Sequence, residues 1–139
     1  MDRQFGLWID HKQAYLIRNG AKKVEVIPSN VKPHMRFTGG TRIRGAYNQS
    51  LDSELRHNDH YKLQLEKFYA QVIKTLHNAD LIFIMGPGEA KLELKKALQK
   101  HSDLRHRLVK VEPADKMTMN QMLAHVRLFF DNLTKNKKS

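Results

Sequence analysis

Residues 81–98 read LIFIMGPGEAKLELKKAL, and the fold turns on how this stretch is read. Leu81, Ile82, Phe83, Ile84 and Met85 form a short continuous apolar run, the pattern of a strand buried on both faces rather than one alternating between core and water. Gly86, Pro87 and Gly88 interrupt it, and Ala90, Leu94, Ala97 and Leu98 then recur at helical spacing. A buried strand that feeds a helix through a tight turn belongs to a sheet covered by helices.

The flanks extend the same pattern. Upstream, Leu65, Phe68, Tyr69, Val72, Ile73 and Leu76 mark an amphipathic helix. Downstream, residues 108–111 predict another strand, and Met122, Leu123, Val126, Phe130 and Leu133 predict a last helix with Thr118 as its cap. Nearer the N-terminus, residues 5–10 and 14–18 are β-prone and joined by the polar turn Asp10, His11, Lys12, Gln13. Asn19-Gly20 suits a type I′ turn into a third strand over residues 23–27, which Pro28 ends. The expected fold is α/β, a single domain over residues 1–134 with a polar basic tail over 135–139. Its mixed sheet has about five strands, an antiparallel meander followed by parallel strands, and about three helices supply the crossovers.

Composition narrows function. The chain has 139 residues, 40% of them hydrophobic and 28% charged, enough for one core. It has no cysteine, which excludes disulfides, thiolate metal sites and Cys nucleophiles. The longest apolar run, residues 81–85, is far short of the roughly 20 residues that span a bilayer, and no signal-type stretch follows Met1, so a cytoplasmic protein is expected. Lys and Arg number 25 against 14 Asp and Glu, a net charge of +11. Such a charge attracts polyanions, with RNA, DNA and anionic membrane as the partner classes.

The charge has a focus. Between Pro28 and Ser50 hydrophobic periodicity disappears and Gly39, Gly40 and Gly45 favour a loop; it carries Lys32, Arg36, Arg42 and Arg44 and no acidic residue, with His34 adding charge when protonated. Guanidinium groups pair with phosphate oxygens, and glycines let backbone approach a ligand. Lys32, His34, Arg36, Gly39, Gly40, Arg42 and Arg44 are therefore the candidate RNA-binding residues. The competing reading is a solvated loop on a basic protein.

Other constellations are weaker. Glu89 stands where phosphate would approach a Gly-Pro-Gly cradle, and no Gly-Lys-Ser/Thr follows, so that turn reads as structural. His57, Asp59 and His60 are spaced like metal ligands but have no further ligand to close a site, so no metal is expected. Asp10, Glu66, Asp80 and Asp131 could form a two-metal nuclease set only if the fold assembled them. Gly-x-Ser-x-Gly is absent.

Residues 5–10, 14–18, Gly39-Gly40, the helix after them and residues 81–98 together resemble the middle domain of the archaeal and eukaryotic peptide-chain release factors and Pelota. Gly86-Pro87-Gly88-Glu89-Ala90-Lys91 after its apolar strand looks most like the Pelota branch. The resemblance covers about residues 5–130 and implies a ribonuclease-H-like mixed sheet. Release factors of that family place a Gly-Gly-Gln loop at the peptidyl transferase centre, where the Gln helps water attack peptidyl-tRNA. Here Thr41 follows Gly39 and Gly40, without an amide to position water, so the resemblance implies a non-hydrolytic role such as Pelota's in ribosome rescue. There is no room for the family's codon-reading or GTPase-recruiting domains.

The expected function is a non-enzymatic, translation-associated factor that binds the ribosome or structured RNA. No cofactor, no membrane partner and no small-molecule substrate are expected. A metal-dependent nuclease and a protein-interaction module without nucleic acid are the alternatives.

Overall fold

The computed structural model describes residues 3–31 and 47–138, with side chains for 3–31 and 59–135. Five strands, β1 (Gln4–Ile9), β2 (Gln13–Arg18), β3 (Glu25–Pro28), β4 (Leu81–Gly86) and β5 (Leu108–Pro113), and three helices, α1 (Tyr47–Leu76), α2 (Ala90–Leu98) and α3 (Met119–Lys138), follow the expected order. They form one mixed sheet in the order β3-β2-β1-β4-β5. The central β1 pairs antiparallel with β2, Leu7 opposite Leu16, and parallel with β4, Leu7 opposite Ile84. β3 completes the meander on one edge, and β5 runs parallel to β4 on the other.

Both faces are covered, which is why residues 81–85 show no alternation. Phe5, Leu7, Ile9, Leu16, Ile82 and Ile84 face α1 and α2, where Phe68, Val72, Leu76, Leu94 and Leu98 complete one core. Trp8, Ile17, Phe83 and Met85 face α3, where Met122, Val126 and Phe130 complete the other. Phe83 stacks on Phe129 with ring centroids 4.0 Å apart and planes 8° from parallel.

Two glycines set distances of approach. A Cβ on Gly6 would lie 2.3 Å from Val126 Cγ2, so α3 sits directly on β1. A Cβ on Gly86 would lie 2.1 Å from the Ile9 carbonyl oxygen, so β4 can turn away beside the end of β1 only without a side chain.

Local details depart from expectation. The Asn19-Gly20 turn has positive φ only at Gly20 (93°), and the Ala21 N–H donates to Arg18 O, the pattern of a type II turn rather than I′. Asn19 stays at negative φ, its N–H bonded to Gln4 O and its amide to Gln4 Oε1. β3 accordingly starts at Glu25, not at residue 23. Residues 47–50, expected in the loop, are the first turn of α1, and residues 135–138 are the last turn of α3. Residues 47–60 contain no Gly or Pro to stop a helix, and Tyr47, Leu51 and Leu55 stand at helical spacing among otherwise polar residues. A 3-10 turn at Arg105–Arg107, unforeseen, precedes β5.

Candidate functional site

The parallel strands β1, β4 and β5 end at Ile9, Gly86 and Pro113, and all three ends lie on the same side of the sheet. This carboxyl end is where open α/β sheets hold ligands. The β1–β2 turn lies there, built by Asp10, whose Oδ1 accepts the Lys12 and Gln13 N–H groups at 2.8 and 2.9 Å. β3 ends beside it, with the Ser29 N–H donating to Lys12 O at 2.9 Å. Val31, packed against the core, is the last described residue before the basic segment, and the chain resumes at Tyr47.

Helix α1 returns through the same place. Tyr61 packs edge-on against His11 of the turn with ring centroids 6.4 Å apart, so Tyr61 marks the level of the sheet end. At 1.5 Å per residue, the part of the helix from Tyr47 to Tyr61 is roughly 20 Å long. The basic segment thus connects a point beside the sheet end to the first turn of α1.

A hydrogen-bonded group ties this mouth together. Glu93 Oε1, in the first turn of α2, accepts the Tyr69 hydroxyl of α1 at 2.5 Å and lies 3.0 Å from His11 Nε2. Burial and then the Glu93 carboxylate push the Tyr69 phenol far above its ordinary value; the same two causes, in that order, raise Tyr61. Among these groups the carboxylate is satisfied by donors and none is an activated nucleophile. The arrangement fixes the β1–β2 turn, α1 and α2 relative to one another. Sequence reading did not join residues 82 positions apart. The available signal was Tyr69 itself, a hydroxyl at a core-facing helix position that needs a partner.

At the same end, Lys116 Nζ lies 5.0 Å from the Trp8 ring centroid and 4.4 Å from that of Tyr15, and donates to the Tyr15 hydroxyl. The Gly86-Pro87-Gly88 turn joins β4 to α2. Gly88 adopts φ +62°, its carbonyl accepts the Lys91 ammonium, and Glu89 stands at the start of α2.

The nuclease carboxylates are not assembled. Asp10 holds the turn at the carboxyl end, while Asp80 Oδ2 accepts the Arg3 N–H at 2.7 Å at the opposite end. Glu66 lines an open cleft between α1 and α2 together with Lys62, Lys96 and Lys100, and Asp131 lies across the sheet on α3 beside Arg18 and Arg127. Asp59 and His60 are exposed on α1, and the His57 side chain lies outside the described residues. Among the described residues the one group of three such side chains within ligand reach is elsewhere: His77, His101 and Asp103. The RNA-binding candidates Lys32, His34, Arg36, Gly39, Gly40, Arg42 and Arg44 all lie outside the described residues. No described helix is long and apolar enough to cross a membrane.

No protein-family model matches the sequence, and no curated protein does. Among solved structures, the archaeal translation termination factor aRF1 is similar over 97% of this chain at 12% identity and a TM-score of 0.45. Pelota of Archaeoglobus fulgidus is similar over 99% of it, also at 12% identity, with a TM-score of 0.39. The chain spans 39% and 38% of those two chains, well under half of either.

Proposed function

We propose that this domain is a non-enzymatic, translation-associated factor that binds ribosomal RNA or tRNA through residues 32–44. One observation carries the reading. The longest acid-free stretch of the chain, residues 26–51, carries Lys32, Arg36, Arg42 and Arg44; it leaves the sheet at its carboxyl end, after β3, and runs into α1. On the entry side Val31 and the Ser29–Lys12 bond hold it; on the exit side it continues into α1, which the Tyr69–Glu93 bond joins to α2 several turns further along. A cationic segment on a rigid base meets phosphate with its register set by the scaffold. In this reading Arg36, Arg42 and Arg44 pair with phosphate oxygens, Gly39 and Gly40 admit close backbone approach, and Lys32 and His34 add field at the entrance. Thr41 after the glycines leaves no amide to place a hydrolytic water, so the role is binding.

Co-sedimentation with ribosomes tests this. The wild-type chain is expected in the ribosomal pellet at low salt, and a triple variant Arg36→Gln, Arg42→Gln, Arg44→Gln in the supernatant. Equal pelleting of both would remove the segment from the interface and favour a protein-interaction module.

A further inference from the structure

We propose that His77, His101 and Asp103, at the amino end of the sheet, form a binding site for a divalent ion of the zinc class, independent of the RNA-binding reading. The three residues come from two connections, His77 from the one after α1 and His101 and Asp103 from the one after α2, and each offers a ligand atom within 4.8 Å of the other two. His77 Nε2 and Asp103 Oδ2 are 3.4 Å apart. Two ligands of a tetrahedral zinc at about 2.1 Å stand roughly 3.4 Å apart, so this pair already has the required spacing. The His101 ring lies edge-on to His77, centroids 5.8 Å apart, and being exposed it closes the remaining gap by rotation about its side-chain bonds.

The second observation is orientation. His77 Nδ1 lies 3.1 Å from the Ile73 carbonyl oxygen, an acceptor only, so Nδ1 carries the proton and donates it. That bond leaves Nε2 as the ring atom facing Asp103 and within ligand reach of His101, the backbone-anchored arrangement typical of metal-ligating imidazoles. The supporting backbone is also fixed. The Arg107 guanidinium donates to His77 O at 3.0 Å and Ala79 O at 2.9 Å, fastening the start of β5 to the connection after α1. The His101 carbonyl accepts the N–H groups of both Leu104 and Arg105, and Leu104 is fully buried beneath the turn.

Two imidazoles and one carboxylate select zinc, cobalt, nickel or copper over magnesium or calcium, and leave a fourth position for water. Lys100 and Arg105 flank the ligands in sequence, Arg107 bonds to the His77 carbonyl, and their charges oppose a cation. Arg107 Nη1 donates to two backbone carbonyls, and the ligand set contributes one compensating negative charge. The ion would join the two connections and clasp the amino end of the sheet.

Calorimetric titration of the full chain with Zn²⁺, and with Co²⁺ followed by visible absorption, tests the assignment. One ion per chain is expected, with a tetrahedral cobalt spectrum and no response to Mg²⁺. His101→Ala and Asp103→Asn alter exposed side chains in a backbone-bonded turn, and each is expected to weaken Zn²⁺ binding at least about tenfold with the far-ultraviolet spectrum unchanged. A paired His57→Ala, His60→Ala variant should bind as wild type does. Absence of binding by the wild-type chain, undiminished binding by both His101→Ala and Asp103→Asn, or a loss confined to the His57, His60 variant would each overturn the assignment.

Discussion

Gly6 decides how closely α3 approaches β1. A methyl there meets Val126 at 2.3 Å, and Val126 has one preferred rotamer in a helix, so it cannot swing clear. Gly6→Ala should lower stability by about 1–3 kcal/mol, read from the urea midpoint at unchanged slope. Truncating Val126 in the same chain should recover part of that loss; strictly additive costs would show that the two do not meet. Gly86→Ala should cost more, because its methyl meets the Ile9 carbonyl, which is backbone. Tyr69 offers a pH test. Its phenol is held above its ordinary value by burial and Glu93, so the folded chain retains that proton more tightly than the unfolded chain does. The linked stability is complete below about pH 10, the unfolded value, and declines by about 1.4 kcal/mol per pH unit as pH rises above it. The stability difference between wild type and Tyr69→Phe should therefore be constant at neutral pH and shift against the wild type in alkali. A difference that stays constant above pH 10 would show that the hydroxyl is not held by Glu93.

Among the elements, α3 begins with a reciprocal cap. The Gln121 N–H donates to Thr118 Oγ1 at 3.1 Å, and the Thr118 N–H to Gln121 Oε1 at 2.9 Å. This capping box satisfies two groups that the first helical turn would leave open. Thr118→Ala should cost about 1 kcal/mol in thermal or urea unfolding, and Thr118→Ser almost nothing. Thr118 was legible as a cap because a hydroxyl stands just before the apolar stripe of Met122, Val126 and Phe130. The strands were legible for a similar local reason, each being a β-prone run cut by a Gly, Pro, Asn or Asp that the structure uses as a turn. The start of α1 was missed: Tyr47, Leu51 and Leu55 stand at helical spacing, but among polar residues and directly after a glycine-rich loop they give a weak apolar period. The type II turn at Gly20 escaped as well, because the bonds that keep Asn19 at negative φ go to Gln4, a residue on another strand. The group formed by His11, Tyr69 and Glu93, and the one formed by His77, His101 and Asp103, are likewise products of the sheet order. Neighbours in these groups are separated by up to 82 positions, and nothing in the spacing announces them.

At the scale of the whole molecule, the sheet divides the chemistry between its ends. The amino end brings together two histidines and an aspartate across two connections. The carboxyl end carries the entry to a segment with four Lys and Arg residues and no acid. The net charge of +11 acts on any polyanion, so affinity alone does not distinguish the segment from the rest of the surface. Salt dependence does, because each phosphate contact releases counterions and contributes about 0.7 to the slope of log K against log salt for single strands. The most direct measurement is that slope, taken for wild type and for the Arg36→Gln, Arg42→Gln, Arg44→Gln variant on one ribosomal RNA fragment. The account predicts a linear dependence whose slope is shallower by about 2 in the variant, three contacts at about 0.7 each. Equal slopes in the two proteins, or a wild-type affinity indifferent to salt, would contradict it.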